Sequence, residues 1–524
     1  MQLQNRNNEE RKMFAFLLGL VILGVGYFTY GRLVEKILAP DDRTTPALEM
    51  KDGVDFLVLP NWRNMLIQLL NIAGVGPVIG VILGCKFGVI VFLIIPIGNI
   101  IGGAVHDFIS GFMSLRYHGA NLPKLVKMML GAEYYRFFSF FMCVLLLLVV
   151  AVFINVPAEL VKVSVLKSSS VVSFLSDLGF SNVPRVIFWA AVGIIFVYYV
   201  CATLFPVDKV IGNVYPFFGF LLLLGSCALF VALEIAGCRN SALFLESAAF
   251  KEGMIRQPIV PVLFVTIACG IISGFHATQS PIIARTMQSE KYARRDFYGM
   301  MVLEGLIAMI WAAGGIAIYN LFPELMKKSP NLVLERITTH FLGSGMGMIT
   351  IIAVIALAVT SGDTALRSLR LSIAEIFGVS QTKFHSRLLI VLPLILLVAL
   401  LLMWSARDAK SFGNIWSYFA WGNQVIAAST LLAGTAYLLM KKKNCLVTLV
   451  PGLFMTFIVI SYILWVSPSN TGGHGPWGLG IDLKSAYLHA AEISFFLGWL
   501  TVLRGRKLAQ NGLEEEFAAE FGKK

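Results

Sequence analysis

The sequence predicts an all-α polytopic membrane protein, with about thirteen transmembrane helices around a five-plus-five inverted-repeat core. Three observations predict it. Of the 524 residues, 57% are hydrophobic and 14% charged, and the mean hydropathy is +0.78, outside the mixture of a soluble globular domain. Apolar stretches of roughly 20 residues, the length that crosses a hydrocarbon core, recur from one end of the chain to the other. Two of these stretches carry glycine and proline interruptions at corresponding places, with Gly74 and Gly274 lying 200 residues apart.

The first crossing, near 13–31, follows Arg11 and Lys12; no small-residue cleavage pattern follows it before Arg32, so it reads as a retained helix rather than a secretory signal. Crossings near 64–84, 87–115, 137–158, 185–205 and 215–236 form a first block of five. A second block lies near 259–284, 298–320, 347–376, 387–405 and 411–440, and two more crossings follow near 446–466 and 487–504. Five is an odd number, so the second block re-enters the membrane inverted relative to the first. The expected division is 1–62, an extra helix and connecting segment; 63–236, the first repeat; 237–440, the second repeat; and 441–524, two C-terminal helices and a short polar tail. The interruptions at 32–62 and 237–257 are too short for a separate soluble core, which places function inside the bundle.

The net charge of +12 does not imply nucleic acid here. Lys and Arg concentrate in the loops after odd-numbered crossings, and the positive-inside bias then sets the N-terminus outside and the C-terminus in the cytoplasm. The seven cysteines, Cys85, Cys143, Cys201, Cys227, Cys238, Cys269 and Cys445, show neither a CxxC pair nor metal-ligand spacing, which suggests neither disulfides nor zinc. Without HExxH or GxSxG signatures an enzyme is not expected. A sensor would carry a soluble output domain and a channel a continuous polar lining. The expected partners are a small-molecule substrate and the lipid bilayer.

An unpaired backbone group in hydrocarbon costs several kcal/mol, so helix breaks belong where protein or a cavity receives them. NIAGVGPVIG at 71–80 and GIISGFHATQSP at 270–281 are such breaks. Freed amides there can receive an anionic group and freed carbonyls a cation; small-residue helix packing is the alternative. Ionisable residues in apolar runs are the next signal: His106 and Asp107, His276, Glu304, Asp363 and Arg367. Asp363 and Arg367, spaced i, i+4, either neutralise each other or act in gating and proton relay. His106 and Asp107 are adjacent and point to different helix faces, so two separate contacts are expected rather than a direct pair. His276 falls in a break, where an imidazole can shuttle a proton near neutral pH. The Thr360 and Ser361 hydroxyls suit a small hard cation, or bond the preceding turn. In IWSYFAWGNQ at 415–424, Asn423 and Gln424 are candidates to face a cavity, unless the segment is an interfacial aromatic belt.

NIAGVGP at 71–77, GGAVHDFISGFMSLRYHGANLPK at 102–124, FVTIACGIISGFHATQSP at 264–281, TSGDTALRS at 360–368 and WGNQ at 421–424 occur in the order seen in the carbon starvation protein A family, and the chain resembles that family over most of 60–430. The resemblance implies a bacterial cytoplasmic-membrane carrier for peptides or pyruvate, with a core similar to the sodium symporter (LeuT-like) fold. It implies substrate contacts at Asn71, Gly74, Gly76, Ser273, Gly274, His276 and Gln279, with Asp107 and Asp363 beside them. By fold similarity it also implies a sodium site at Thr360 and Ser361. Val75 and Gly362 depart from the family's pattern. The expected function is uptake of small carboxylates, pyruvate or short peptides, by proton symport through His106, Asp107, His276 and Asp363, with sodium coupling as the alternative; no cofactor is expected beyond the coupling ion.

Overall fold

The computed structural model describes residues 2–53, 55–204, 207–245, 257–381, 383–407, 409–471 and 476–512. The end of the polar tail and part of the 237–257 interruption lie outside these residues. The described residues are helical with no strand. Among the described residues, eleven helices are long and apolar enough to cross a membrane. These are α1 (Ala15–Leu38), α4 (Val91–Arg116), α5 (Ala132–Val165), α6 (Val183–Leu204), α7 (Phe217–Arg239), α9 (Glu290–Leu321), α10 (Pro330–Phe377), α11 (Phe384–Ser405), α12 (Ser411–Met440), α13 (Leu446–Trp465) and α14 (Leu483–Asn511). A twelfth span is the bent pair α2 (Asn61–Ile72) and α3 (Gly76–Phe87), inclined at 52° to each other.

The expected count of thirteen adds one to these twelve, the stretch expected as a broken seventh crossing. The stretch expected as the seventh crossing is divided into Ile259–Leu263, Phe264–Thr266, Ala268–Ile271 and α8 (Gly274–Ala284), none long enough to span. The cause is local sequence. Ile272 and Ser273 are extended, so the ladder of i to i−4 bonds stops and restarts at Gly274. The break between α2 and α3 has a related origin: Ala73 leaves helical geometry, and Pro77, which has no N–H to donate, sits in the first turn of the next segment.

α10 is 48 residues long, too long for one perpendicular crossing, and it bends at Gly343, whose φ of 71° suits glycine. Burial separates an inner from an outer set. The apolar window of α9 is 89% buried and that of α12 83%, against 28% in α1, α11 and α14, which present Leu, Val and Phe side chains outward to lipid. The core joins α10 to α5 and α7, α8 to α4 and α12, and α2 to α7 and α8, while α13 and α14 pack on α12. The two broken segments therefore sit against one another in the middle of the bundle.

Candidate functional site

The crossing of the two breaks is tight. A Cβ at Gly76 would lie 2.0 Å from Cys269 Cβ, and one at Gly274 would lie 2.3 Å from the Asn423 carbonyl oxygen and 2.5 Å from the Ala427 nitrogen. A Cβ at Gly74 would meet the Phe153 ring at 2.8 Å and Ser361 Oγ at 3.4 Å. These glycines bring bare backbone to the centre, so their contribution is main-chain groups rather than side chains. Asn423 and Gln424 are spent on the second break instead of facing an open cavity. Asn423 Oδ1 accepts from the Phe275 N–H at 3.2 Å, and Gln424 Nε2 donates to the Phe264 carbonyl. They supply partners to backbone that the break has freed.

The titratable residues converge on Asp107, which is fully buried on α4. His106 Nδ1 lies 2.8 Å from Asp107 Oδ1, and His276 Nδ1, from α8, lies 3.1 Å from Oδ2. The expectation of two separate contacts for His106 and Asp107 is corrected here. Neighbours leave a helix about 100° apart, but the short carboxylate folds along the helix surface to meet Nδ1, the ring nitrogen nearer the backbone. The other nitrogen of His276, Nε2, faces Glu304 Oε2 on α9 at 3.7 Å. α8, which carries His276, also packs against α2. His276 thus touches α4 and faces α9, on a helix that lies against the end of the first break. Ser110 and Ser280 hydroxyls, 2.9 Å apart, tie α4 to α8 one turn further along.

Two carboxyls and two imidazoles buried together hold protons that belong to the group rather than to any one member. Gaining or losing one changes the charge of a region from which water is excluded, so an imbalance weighs heavily there.

α10 supplies a second group. Ser361 Oγ donates to the Leu70 carbonyl at 2.8 Å, which puts a hydroxyl and a carbonyl oxygen together at the first break, and Thr360 Oγ1 donates back to Leu357 at 3.0 Å. Asp363 Oδ2 accepts from the Tyr198 hydroxyl at 2.7 Å. Arg367 reaches Asp55 at 3.5 Å and the Ala202 carbonyl. These bonds tie α10 to α6 and to the segment before α2. Gly362 leaves room for Tyr199, whose oxygen would lie 1.9 Å from a Cβ there and which donates to the Phe153 carbonyl at 2.8 Å.

Several buried amides keep unused bonding capacity: both polar atoms of Gln68 and of Asn71, and the Oε1 atoms of Gln279 and Gln424. Gln68 and Asn71 are i, i+3 on α2 and share a face. Sequence reading assigned no role to Gln68, Tyr198 or Glu304. Glu304 had a signal, a carboxylate in an apolar run; Gln68 had only its spacing from Asn71; Tyr198 had none, because tyrosine is ordinary in membrane helices.

The segment before α2 covers one end of the bundle. Leu57 and Leu59 donate backbone N–H groups to the Arg285 and Thr286 carbonyls at 3.2 and 3.1 Å, and Thr45 bonds the Met287 carbonyl at 2.7 Å. Beside it, buried Glu290 pairs with Arg116 and lies 3.7 Å from Arg43, while Arg43 and Asp41 pair at 2.8 Å. The Arg43 guanidinium holds the Asp41 carboxyl well below the usual carboxylate range.

Comparison with known proteins places this arrangement. The family model described as "Carbon starvation protein CstA" matches residues 11–182, 186–340 and 331–462. An uncharacterized membrane protein of Haemophilus influenzae is 39% identical over 342 residues, 59% of this chain and 92% of that protein. A protein of Bacillus subtilis named Peptide transporter CstA is 23% identical over 85% of this chain and 89% of its own length. One of the same name from Helicobacter pylori is 26% identical over 55% of this chain, and that match spans about half, 49%, of the relative. Among solved structures, MhsT in complex with L-phenylalanine aligns at 13% identity and a TM-score of 0.47, covering 86% of this chain and 99% of its own. A manganese transporter of Eremococcus coleocola aligns at 14% and 0.49, covering 87% and 99%. The extent of the family match is decisive: the chain is a multi-pass membrane transporter that belongs to the carbon starvation protein CstA family.

Proposed function

We propose that the protein takes up short peptides, or a small carboxylate such as pyruvate, by proton symport through alternating access at the crossing of the two breaks. The observation that carries this reading is the position of His276. One imidazole, on a broken helix, bridges Asp107 on α4 and faces Glu304 on α9, with the first break alongside. A proton gained there changes the attraction between three elements that have to separate if the bundle is to open. In this reading α2 to α7 and the broken segment to α12 are the two inverted repeats, and 441–524 is peripheral. The N-terminus is outside and the C-terminus faces the cytoplasm of a bacterial inner membrane.

Peptides are favoured over pyruvate by the carboxamides. Gln68 and Asn71 offer both donors and acceptors without partners. A peptide bond presents one N–H and one C=O to match them, whereas pyruvate offers acceptors only. Sodium coupling is the second reading, favoured by the pairing of Ser361 Oγ with the Leu70 carbonyl, two oxygens of the kind a small hard cation takes.

The test is uptake of labelled dialanine and labelled pyruvate into proteoliposomes under an imposed pH gradient, a sodium gradient, or neither. Concentrative dialanine uptake driven by the pH gradient, and collapsed by an uncoupler, supports the proposal. Uptake that follows sodium alone moves the coupling to Ser361, and pyruvate uptake without dialanine uptake moves the substrate.

A further inference from the structure

Along α10, beyond Ser361, lie Arg367 and Arg370, 1% and 0% exposed. By helical rise they are roughly 9 to 14 Å beyond Ser361, which bonds the first break, toward the end covered by the segment before α2. Arg285, 7% exposed, follows α8 at the same end. Arg387 completes the group, with Arg285, Arg367, Arg387 and Asp55 all near enough to act electrostatically on Arg370. Asp52 and Glu375 act on Arg285 in turn.

The arginines are not equivalently used. Arg285 donates to the Gly119 carbonyl at 2.9 Å and to Asn121 Oδ1 at 3.0 Å, and its guanidinium lies over the Phe56 ring at 5.0 Å. Arg387 donates to the Leu204 carbonyl at 2.7 Å, a helix C-terminus that welcomes a cation. Arg367 reaches the Asp55 carboxylate at 3.5 Å. Among the described residues Arg370 bonds only the neutral Gln381 Oε1, at 2.7 Å, and its Nε and Nη2 have no partner there although the residue is fully buried. A guanidinium presents parallel N–H groups that fit a carboxylate, and burying one with two donors unused is expensive unless something occupies them.

We propose that Arg367 and Arg370 form a second carboxylate site, on the release side of the transport site, in which Asp55 stands in for the carboxylate of the cargo. The inference rests on the reading of the cargo as a carboxylate-bearing peptide or acid. On release the cargo carboxylate passes from the breaks to the Arg370 donors and takes Arg367 from Asp55. That loosens the segment held by Leu57 and Leu59 over this end of the bundle. No bond is made or broken; one carboxylate replaces another.

The test measures acetate binding by calorimetry to the purified full-length protein, with chloride at equal ionic strength as reference. Asp55→Asn removes the resident carboxylate and is expected to bind acetate at least tenfold more tightly than the wild type. Asp55→Asn combined with Arg370→Gln should lose that gain, and Asp55→Asn with Arg370→Lys, which keeps the charge, should retain part of it and guards against misfolding. Equal acetate affinity in Asp55→Asn and in its Arg370→Gln double variant would overturn the site. Dialanine counterflow in the same preparations separates the two readings. Acetate binding that follows Arg370, in a protein that moves neither dialanine nor pyruvate, refutes the proposed function and leaves the site standing.

Discussion

The two broken helices are built from similar residues and end in different circumstances. The second is anchored: Gly274 is pressed to the backbone of α12, Asn423 holds the Phe275 N–H and Gln424 the Phe264 carbonyl. The first is left with capacity to spare, since the side chains of Gln68 and Asn71 are buried and find no partner among the described residues. Buried amides without partners are expensive in a finished core, and they are expected where another molecule completes them. The difference teaches that a pair of matching motifs need not be held alike; here the second is pinned by the amides of α12, while the first keeps both polar atoms of two buried amides unused among the described residues.

The sharpest way to break that comparison is at the carboxylate that His276 of the second break leans on. Asp107→Asn should reduce pH-driven dialanine uptake by about a hundredfold or more while the protein still purifies as a folded species, because the amide keeps the shape and removes the charge between His106 and His276. Uptake within tenfold of the wild type would separate the cluster from coupling. Next in size is anchoring. Gly274→Ala should cost about 1 to 3 kcal/mol of stability in a thermal melt through overpacking on Asn423 and Ala427, whereas Gly102→Ala, whose Cβ would meet only Ile272 Cδ1 at an ordinary 3.7 Å, should cost little. A third pair contrasts the breaks directly. Asn71→Ala should raise the half-saturating dialanine concentration about tenfold with an unchanged melting temperature; Asn423→Ala should lower stability by about 1 kcal/mol by leaving the Phe275 N–H unmet. Equal melting temperatures for the two variants would erase the distinction. The smallest effect sets a floor outside both breaks. Asp41 has a depressed carboxyl beside Arg43, so its contribution is present above the ordinary carboxylate range and fades as pH falls toward the depressed value. Both side chains are about half exposed, and Asp41→Asn should shift stability by less than about 1 kcal/mol at pH 7, with the gap shrinking by pH 3.

Much of the fold was legible because hydrocarbon imposes a length and an apolarity that hydropathy reads directly. The apolar runs predicted near 387–405, 411–440 and 446–466 meet α11, α12 and α13 within a few residues. The seventh crossing was expected to be interrupted within 270–281, and Ile272 and Ser273 are the extended residues there; which two residues leave the helix is not written in composition. In the site, glycine and proline announced the breaks and isolated charges announced Asp107, His276 and Asp363. The link from His106 to Asp107 was not legible, because helix-face geometry fixes where a side chain leaves the backbone and not where its tip goes. Arg370 was not legible either: an arginine near a helix end reads as a solvated terminus until its burial is known.

The contact between Gly76 and Cys269 has one more consequence. With no side chain on Gly76, only the Cys269 side chain stands between the two strips of backbone where they cross. A tilt of about 10° there would carry the end of a ten-residue arm, ~15 Å long, through roughly 2.6 Å, about the width of a water molecule. The length of the helical arms on either side of that point would then set how far each end moves for a given tilt.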